Sequence, residues 1–282
     1  MPLIIIKLRR NVIMKKLVKM LSLTVAAALM AVTFTACGDS SSSSSDKKGT
    51  IKFGTNAEFP PFEFVASKGV IDEFDGIDMA IAKQIGDDNN KDAKIENMEF
   101  DSLLVALDNG KIDAAIAGMT VTDERKEKVD FSETYYNAKQ VMIVKEDSTI
   151  AKASDMADKK IVVIQGYTGE TCVKKLGYAY QSFKKGTEAI MELVNGKCDV
   201  VVIDSATADK YVKDNEGLKI VEDNTEFENE EYAIAVKKGN KELLDQINKS
   251  IKKMKESGKI NELAAKYADA TDSDSSSEAE SK

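Results

Sequence analysis

The fold is decided by one stretch of the sequence, GKIDAAIAGMTVTDER, at residues 110–125. The apolar run 112–116 predicts a short buried strand, and Thr122 is placed to cap a helix that begins at the next residue. Only a few residues separate the strand from the helix, which is the kind of connection that α/β proteins use. The stretch therefore predicts a sheet covered by helices.

Arg125 falls in the first turn of this predicted helix, where a positive charge opposes the helix dipole. A bound anion would resolve the conflict, because backbone N–H groups and a guanidinium both favour a carboxylate. A surface salt bridge with Asp123 or Asp130 is the alternative interpretation. Both interpretations stay open at this point.

The same order of strands and helices recurs along the chain, so we predict an α/β fold in which the pattern occurs twice. Ligands in such sheets lie outside the carboxyl ends of the strands, and residues just after each strand are candidate site residues. Further predicted strands are 51–53, 161–164, 200–203 and 232–236; predicted helices are 77–85 ending at Gly86, 103–107 capped by Asp101-Ser102, one from about 170, 187–194, one from 205, and two over 243–267.

Two positions that follow predicted strands carry polar side chains. Asp204 ends the strand 200–203, where its carboxylate can receive an ammonium group or cap the helix that starts at Ser205. The segment Gln165-Gly-Tyr-Thr-Gly169 also follows a strand and opens a helix. Its N–H groups and the Thr168 hydroxyl can therefore face an anion.

The composition excludes several classes of function. The 282 residues contain no His, which excludes Ser-His-Asp and Cys-His catalysis and any imidazole zinc site, and no metal or cofactor is predicted. A hydrophobic fraction of 43% with 31% charged residues and three Pro is typical of a globular protein. Without residues 1–36 the remaining 34 basic and 48 acidic residues give a charge of −14, which argues against nucleic acid as a partner.

The N-terminal segment predicts export and lipid anchoring. Residues 1–36 contain six basic and no acidic residues, followed by an apolar stretch and small residues, as in a signal peptide. The end of this segment resembles a bacterial lipobox that leads to Cys37, although Phe34 stands where Leu is usual. We expect acylated Cys37 to anchor the protein outside the cytoplasm, with the Ser-rich residues 37–49 as a flexible tether. A retained transmembrane helix is the alternative.

The two cysteines after Cys37 are predicted to be unpaired. Cys172 and Cys198 fall in different predicted elements, so unpaired thiols are the preferred interpretation, although an exported protein permits pairing.

The ends of the chain carry two further predictions. Residues 269–282 are acidic and polar, and we predict a disordered tail. The true start is Met1 or Met14, and no functional conclusion depends on this choice.

Taken together, several ordered motifs resemble the bacterial extracellular solute-binding proteins of family 3, which deliver polar amino acids to ABC importers. The resemblance covers nearly all of the predicted ordered part of the chain. The motifs are Gly54-Thr-Asn-Ala-Glu-Phe-Pro-Pro-Phe-Glu63, Gly76-Ile-Asp-Met-Ala, Phe100-Asp-Ser-Leu-Leu, residues 110–125, Val129-Asp-Phe-Ser132 and Gly196-Lys-Cys-Asp-Val-Val-Val-Ile-Asp204.

The resemblance implies a site for a free amino acid. Arg125 is expected to pair with the ligand α-carboxylate, assisted by Thr120 and the loop of Thr168. Asp204, the Gly118 carbonyl and the Thr120 hydroxyl are expected to receive the α-ammonium group.

The resemblance also implies which residues contact the ligand side chain. Phe59 and Phe100 are expected to enclose it, with core packing as the alternative. Asn56 stands where many relatives have Asp, and the neighbouring Glu58 either restores a negative pocket or is an exposed loop residue. The ligand is therefore left open among basic, glutamine-like and cystine-like amino acids.

The implied fold is the two-lobed, type II periplasmic-binding-protein fold with two hinge strands. Lobe 1 is expected to comprise 50–138 and 231–268, and lobe 2 to comprise 139–230. A monomer that closes around its ligand and docks on an ABC permease is expected, without catalysis. Two alternatives remain: an exported cyclohexadienyl-dehydratase-like enzyme with Glu58 as general acid, and a sensor module that reports amino acids to a membrane kinase.

Overall fold

The computed structural model describes residues 48–269, so the predicted signal peptide, Cys37, most of the tether and the tail from 270 lie outside the described residues. Helices and strands alternate along this part of the chain, which confirms the predicted α/β class. The helices are α1 Ile77–Asp88, α2 Leu103–Asp108, α3 Asp123–Lys128, α4 Thr168–Lys175, α5 Gly186–Val194, α6 Ser205–Asp214, α7 Lys241–Glu256 and α8 Lys259–Asp269; 3₁₀ turns cover Phe100–Ser102 and Ala153–Met156.

The strands form two main sheets and one small one. The strands are β1 Gly49–Thr55, β2 Glu58–Phe59, β3 Glu63–Val65, β4 Phe74–Asp75, β5 Lys91–Asn97, β6 Ala114–Ala115, β7 Val129–Phe131, β8 Tyr136–Lys145, β9 Ile161–Ile164, β10 Tyr180–Phe183, β11 Val200–Asp204, β12 Leu218–Val221, β13 Asn229–Tyr232 and β14 Ala235–Lys237. The first sheet has the order β5-β1-β6-β14-β7, the second has β10-β9-β11-β8-β12 with β13 paired to β8, and β2-β3-β4 form the small sheet.

We call the part built on the first sheet the first lobe and the part built on the second sheet the second lobe. In each sheet three neighbouring strands that start at one edge run parallel, β5-β1-β6 in the first and β10-β9-β11 in the second. Strands β14 and β8 run antiparallel to them. The parallel strands bring their carboxyl ends to one edge of each sheet. The residue boundaries predicted for the two lobes stay a prediction.

The apolar periodicity of the helices explains how they cover the sheets. In α1, Ile77, Ile81 and Ile85 recur every four residues on one face, and all three are buried. This face packs on β5, and the helix also contacts α7 and α8. The helices seen in the sequence pattern are therefore the ones that close the hydrophobic core.

The chain crosses between the sheets along two neighbouring strands. Strand β8 pairs with β13 from Tyr136↔Tyr232 to Lys139↔Asn229, and then continues into the second sheet beside β11 and β12. Strand β13 leads within two residues into β14 of the first sheet. The predicted single strand 232–236 is therefore wrong, because at this point the chain leaves one sheet and enters the other.

Helix α1 does not stop at Gly86 as predicted but continues to Asp88. A Cβ atom at Gly86 would lie 2.8 Å from the carbonyl oxygen of Lys91. The glycine is thus required for the close approach of the helix to the start of β5, and it does not end the helix.

Other local predictions also needed correction. Ser102 makes no side-chain capping bond to α2 and instead donates to Asp101 Oδ1 at 3.2 Å, after the 3₁₀ turn has already started the helix. Strand β6 covers only two residues of the predicted 112–116, and α4 begins at Thr168, two residues before the predicted start. These differences shift element ends and leave the order of elements unchanged.

Cys172 lies on α4 and Cys198 two residues before the start of β11, and both are free cysteines, which confirms the preferred interpretation. Within residues 48–269, none of the helices has the length and apolar composition needed to cross a membrane.

We predict that Gly76→Ala destabilises the protein far more than Gly110→Ala. Gly76 has φ 125°, and its Cβ would lie 2.1 Å from the Phe62 carbonyl oxygen, whereas Gly110 has φ 70° and no atom within 4 Å. A positive φ alone costs about 1 kcal/mol, and the added clash should bring Gly76→Ala to about 3 kcal/mol or more. Urea unfolding measures both changes, and equal losses would show that the contact with Phe62 is unimportant.

Candidate functional site

A small cavity lies where loops of the two lobes meet. It is formed by residues that follow β6, β9 and β11 at their carboxyl ends, together with aromatic residues of the first lobe. This is the position in which α/β sheets place their ligands. The lining residues are Phe59, Phe100, Ala117, Gly118, Thr120, Arg125, Tyr167, Thr168 and Asp204. Seven of the nine predicted site residues are thus brought together here.

The loop after β6 is held in place by a glycine. Gly118 has φ 50°, and a Cβ atom there would lie 2.5 Å from Cε1 of the Phe59 ring. Its N–H donates to Asp78 Oδ2 at 2.8 Å. Only a residue without a side chain can lie this close to Phe59 in a left-handed conformation, so the loop geometry depends on glycine.

A buried pair of carboxyl groups supports this loop from behind. Asp78 also accepts from the Tyr135 hydroxyl at 2.9 Å. Among the described residues, both Glu63 carboxyl oxygens and Asp78 Oδ1 are buried without a hydrogen-bond partner. Burial raises the pKa of Asp78 to about 6 and raises the pKa of Glu63 well above its usual range. Burial and the proximity of the two carboxyl groups therefore both favour a protonated form of the pair.

Arg125 lies where the sequence predicted and connects the two lobes. Thr122 Oγ1 accepts from the Arg125 N–H at 3.2 Å, which confirms the predicted cap of α3. The guanidinium lies over the Phe100 ring, 5.1 Å from its centroid. It donates from Nη1 to the Thr120 carbonyl at 2.7 Å and from Nη2 to the Gly166 carbonyl at 2.9 Å.

The alternative of a surface salt bridge for Arg125 is therefore wrong. Within the described part of the chain, Asp123 pairs with Lys126 and Asp130 accepts from the Gly239 N–H. Burial lowers the pKa of the guanidinium, while the charges of Glu230 and Asp204 favour its protonated form. A partly desolvated guanidinium in this position has the chemistry to bind a carboxylate.

Asp204 does not cap α6. It stands at the cap position, but its side chain makes no capping bond; Oδ1 accepts instead from the Tyr232 hydroxyl at 2.6 Å. Asp204 is 3% exposed. Burial, and then the negative charge of Glu230, raise the pKa of Asp204 to about 7 against the lowering effect of Tyr232 and Arg125. A cation close to Asp204 would therefore favour its ionised form.

Glu230, on β13, is a second carboxylate at this site that sequence reasoning missed. Its Oε2 accepts from Thr120 Oγ1 at 2.7 Å, from Thr168 Oγ1 at 2.8 Å and from Gln140 Nε2 at 3.3 Å. Gln140 also donates to Thr168 Oγ1 at 3.0 Å. Nothing in the sequence pattern distinguishes Glu230 from the acidic residues around it.

Tyr167 was missed as well, although it lies inside the loop that the sequence singled out. Its ring packs edge-on against Phe100 and Phe59, with centroids 4.6 and 5.2 Å away. The cavity therefore has three aromatic walls. The position of Tyr167 between Gly166 and Thr168 was the signal that could have identified it.

Asn56 and Glu58 do not line the cavity. Asn56 Oδ1 accepts from the Tyr167 hydroxyl at 3.1 Å, and its Nδ2 donates to the Met98 carbonyl at 3.0 Å. Glu58 Oε1 pairs with Lys185 Nζ at 3.1 Å. Both residues join the lobes at the edge of the cavity, so the cleft is closed. Their predicted contact with a ligand stays a prediction.

Residues 48–269 contain no group of three or more His, Cys, Asp or Glu side chains that could hold a metal ion.

The fold and the cavity define a two-lobed binding protein, and comparison with known proteins gives its family. The profile of bacterial extracellular solute-binding proteins, family 3, matches residues 51–270. The chain belongs to this family, which confirms the resemblance drawn from the motifs. The two-lobed, type II periplasmic-binding-protein fold with two hinge strands is confirmed with it.

Three similar proteins are informative. The arginine-binding extracellular protein ArtP of Bacillus subtilis is 31% identical over 250 residues, which cover 87% of this chain and 96% of ArtP. The solved arginine-, lysine-, histidine-binding protein ArtJ of Geobacillus stearothermophilus is 34% identical, with TM-score 0.73, covering 77% of this chain and 94% of ArtJ. The ancestral amino acid-binding protein AncCDT-1, a precursor of cyclohexadienyl dehydratase, is 33% identical, with TM-score 0.72 and 78% and 96% covered.

We predict that Asp204 makes the ligand-free protein less stable as pH rises from about 4 to 7. Its pKa is about 7 in the fold against 3.8 as the ordinary value, so in this window the folded state holds a proton that the unfolded state has lost. The free energy of unfolding then falls by up to about 1.4 kcal/mol per pH unit.

Asp204→Asn keeps an acceptor for Tyr232 and should flatten this part of the pH profile, measured by urea unfolding between pH 4.5 and 7.5. Asp72→Asn, at an exposed aspartate, is the matched control and should keep the wild-type slope. An unchanged slope in Asp204→Asn would show that Asp204 is ionised in the empty site.

Proposed function

We propose that this protein is the lipid-anchored substrate-binding component of an ABC importer for a polar amino acid. One observation carries the proposal. Two groups of opposite charge, the half-buried Arg125 of the first lobe and the buried Asp204 of the second, face one small cavity. A free amino acid is a zwitterion with a charge for each of them.

The α-carboxylate is assigned to Arg125. Nη1 and Nη2 of Arg125 each donate one hydrogen bond to a backbone carbonyl, and the remaining N–H groups of the guanidinium are available to the ligand. The start of α4 at Thr168 adds backbone N–H groups from the other lobe. The carboxylate is thereby held by donors from both lobes.

The α-ammonium group is assigned to Asp204, the Gly118 carbonyl and the Thr120 hydroxyl. All three line the cavity. A cation placed beside Asp204 favours its ionised form and offsets the cost of burying it. Phe59 and Phe100 then enclose the ligand side chain.

Binding works through closure of the two lobes. Because Arg125 and Asp204 belong to different lobes, a zwitterion that contacts both stabilises the closed form selectively and shifts the population towards it. Strands β8 and β13 form the connection about which the lobes move. The permease of the importer would recognise the closed form.

A ligand with a cationic side chain is the class that we favour. The names of ArtP and ArtJ, which concern basic amino acids, support the same class. Glu58 at the cavity edge is within reach of such a side chain if Lys185 releases it.

We propose no catalytic reaction. Glu58 is the candidate general acid of the dehydratase alternative, and its carboxylate lies outside the cavity lining in an ion pair with Lys185. An acid for catalysis has to reach the leaving group inside the site. ArtP and ArtJ are named as binding proteins.

We predict that the two charges of the site are both needed for binding and differ in their effect on closure. Arg125→Ala and Asp204→Ala should each weaken binding of the best amino acid, chosen by a thermal-shift screen of the twenty, by roughly 30- to several-thousand-fold. Arg125→Lys should also lose affinity, because it keeps the charge but not the fork geometry. Isothermal titration measures all three.

Small-angle scattering adds the second readout. Ligand held only by the first lobe should leave Asp204→Ala less compact than wild type at saturation. If Asp204→Ala binds with native affinity and still closes, Asp204 is no part of the clamp and the mechanism is wrong. If no amino acid binds the wild-type protein, the proposed function itself is wrong.

Cys37 should carry the lipid anchor. Changing Cys37 to Ala removes the thiol to which a diacylglyceryl group attaches, so the protein should move from the membrane fraction to the soluble extracytoplasmic fraction. Fractionation with an antibody detects this, and Cys172→Ala is the control that should stay with the membrane. Retention of Cys37→Ala in the membrane would contradict lipid anchoring.

A further inference from the structure

Glu230 accepts hydrogen bonds from two residues of the cavity lining, and a single oxygen of its carboxylate binds side chains from both lobes. Thr120, from the loop after β6, belongs to the first lobe, while Thr168 at the start of α4 and Gln140 on β8 belong to the second. All three donate to Glu230 Oε2. Glu230 itself is half-buried on β13, at the crossing between the lobes.

We propose that Glu230 is a positioning residue that sets the direction of the hydroxyl hydrogen bonds of Thr120 and Thr168, and so decides which end of the amino acid each can bind. The inference rests on the proposed function and assigns a role to a residue outside the site predicted from the sequence.

The direction of each hydrogen bond follows from the number of protons that each side chain can donate. A threonine hydroxyl has one proton to donate and two lone pairs that accept, whereas an ionised carboxylate only accepts. Each hydroxyl that bonds to Glu230 must therefore be the donor of that hydrogen bond. Bonds to an ionised acceptor are the stronger ones, so this direction is firmly fixed.

Thr120 consequently turns its lone pairs towards the cavity. A group with lone pairs only can accept from an ammonium group and cannot donate to a carboxylate. Thr120 thus joins Asp204 and the Gly118 carbonyl as an acceptor for the α-ammonium. While the Thr120 hydroxyl donates to Glu230, this hydroxyl cannot also donate to the α-carboxylate beside Arg125.

Thr168 has a different position in the same network. The Thr168 hydroxyl donates its hydrogen bond to Glu230 and also accepts one from Gln140 Nε2 at 3.0 Å. Its hydroxyl has no proton left for a ligand carboxylate. The contribution of Thr168 to carboxylate binding therefore comes from its backbone N–H at the start of α4.

The arrangement also couples hydroxyl direction to closure. Glu230 receives Thr120 and Thr168 on the same oxygen only when the two lobes are together, as they are in this structure. The acceptor set for the ammonium group is thus completed by the same movement that closes the cleft.

The test uses the mature protein and whichever of L-arginine, L-lysine, L-histidine and L-glutamine stabilises the wild type most. Glu230→Gln retains an oxygen that accepts both hydroxyl protons, so its affinity should stay within about threefold of wild type. Glu230→Met removes the acceptor and should weaken binding about tenfold or more. Glu231→Gln, at the exposed neighbour on the same strand, is the matched control and should bind like wild type.

A double-mutant cycle then shows whether Glu230 acts through Thr120. Thr120→Val should weaken binding about as much as Glu230→Met, and the double variant should lose little more than either single variant. Equal losses in Glu230→Gln and Glu230→Met would show that Glu230 acts by charge alone. Additive losses in the double variant would show that it does not act through Thr120. Either result overturns the proposal.

Thr120→Val also gives a test that does not require Glu230→Met to fold. It should weaken binding of the amino acid while leaving binding of its deaminated analogue, such as 5-guanidinopentanoate for arginine, unchanged, because only the ammonium contact is lost. Equal weakening of both would place Thr120 on the carboxylate and refute the assignment. Absence of binding by the wild-type protein would instead refute the proposed function.

Discussion

Strand β8 is the element on which the remaining structure depends. Its first residues pair with β13, and its later residues lie between β11 and β12 in the second sheet. Because the chain leaves the first sheet along β8 and returns along β13, the two crossings are hydrogen-bonded to each other. This pairing holds the carboxyl ends of β6, β9 and β11 close enough to form one cavity.

The same crossing brings polar side chains to the floor of the site. Gln140 lies on β8, whereas Glu230 and Tyr232 lie on β13. Tyr232 donates to Asp204, and Glu230 receives the hydroxyls of Thr120 and Thr168. The strands that permit movement therefore also supply the groups that orient the binding residues. Changes at the hinge and changes in ligand contacts are physically linked for this reason.

Desolvation makes the empty closed site electrostatically incomplete. Burial lowers the pKa of Arg125 and raises the pKa of Asp204, so each group loses part of the stabilisation that water gave to its charged form. Backbone carbonyls and the Tyr232 hydroxyl satisfy them only in part. Under the proposed function, a zwitterion would supply one full charge to each group, and so would stabilise the closed form in which both groups contact it.

The sequence predicted the fold to a large extent because apolar periodicity reports burial directly. Strand β9 agrees residue for residue with its prediction, and α5 and β11 agree to within one residue. The errors fall where tertiary contacts override a local signal. Gly86 serves a close approach to Lys91, and the segment 232–236 divides because the chain changes sheets. Neither reason is visible in a local window.

For the candidate site, the sequence by itself determined Arg125 in the first turn of a helix, and Thr168 and Asp204 close to the ends of strands, whereas Thr120 followed from the resemblance to the family. The placement of the first three residues follows from local strand and helix patterns. Only the tertiary structure decided their partners. Thr120 and Glu230 are 110 residues apart in the chain and meet because two strands cross side by side. The direction of a hydroxyl bond depends on such a neighbour, and a neighbour in space leaves no local pattern in the sequence.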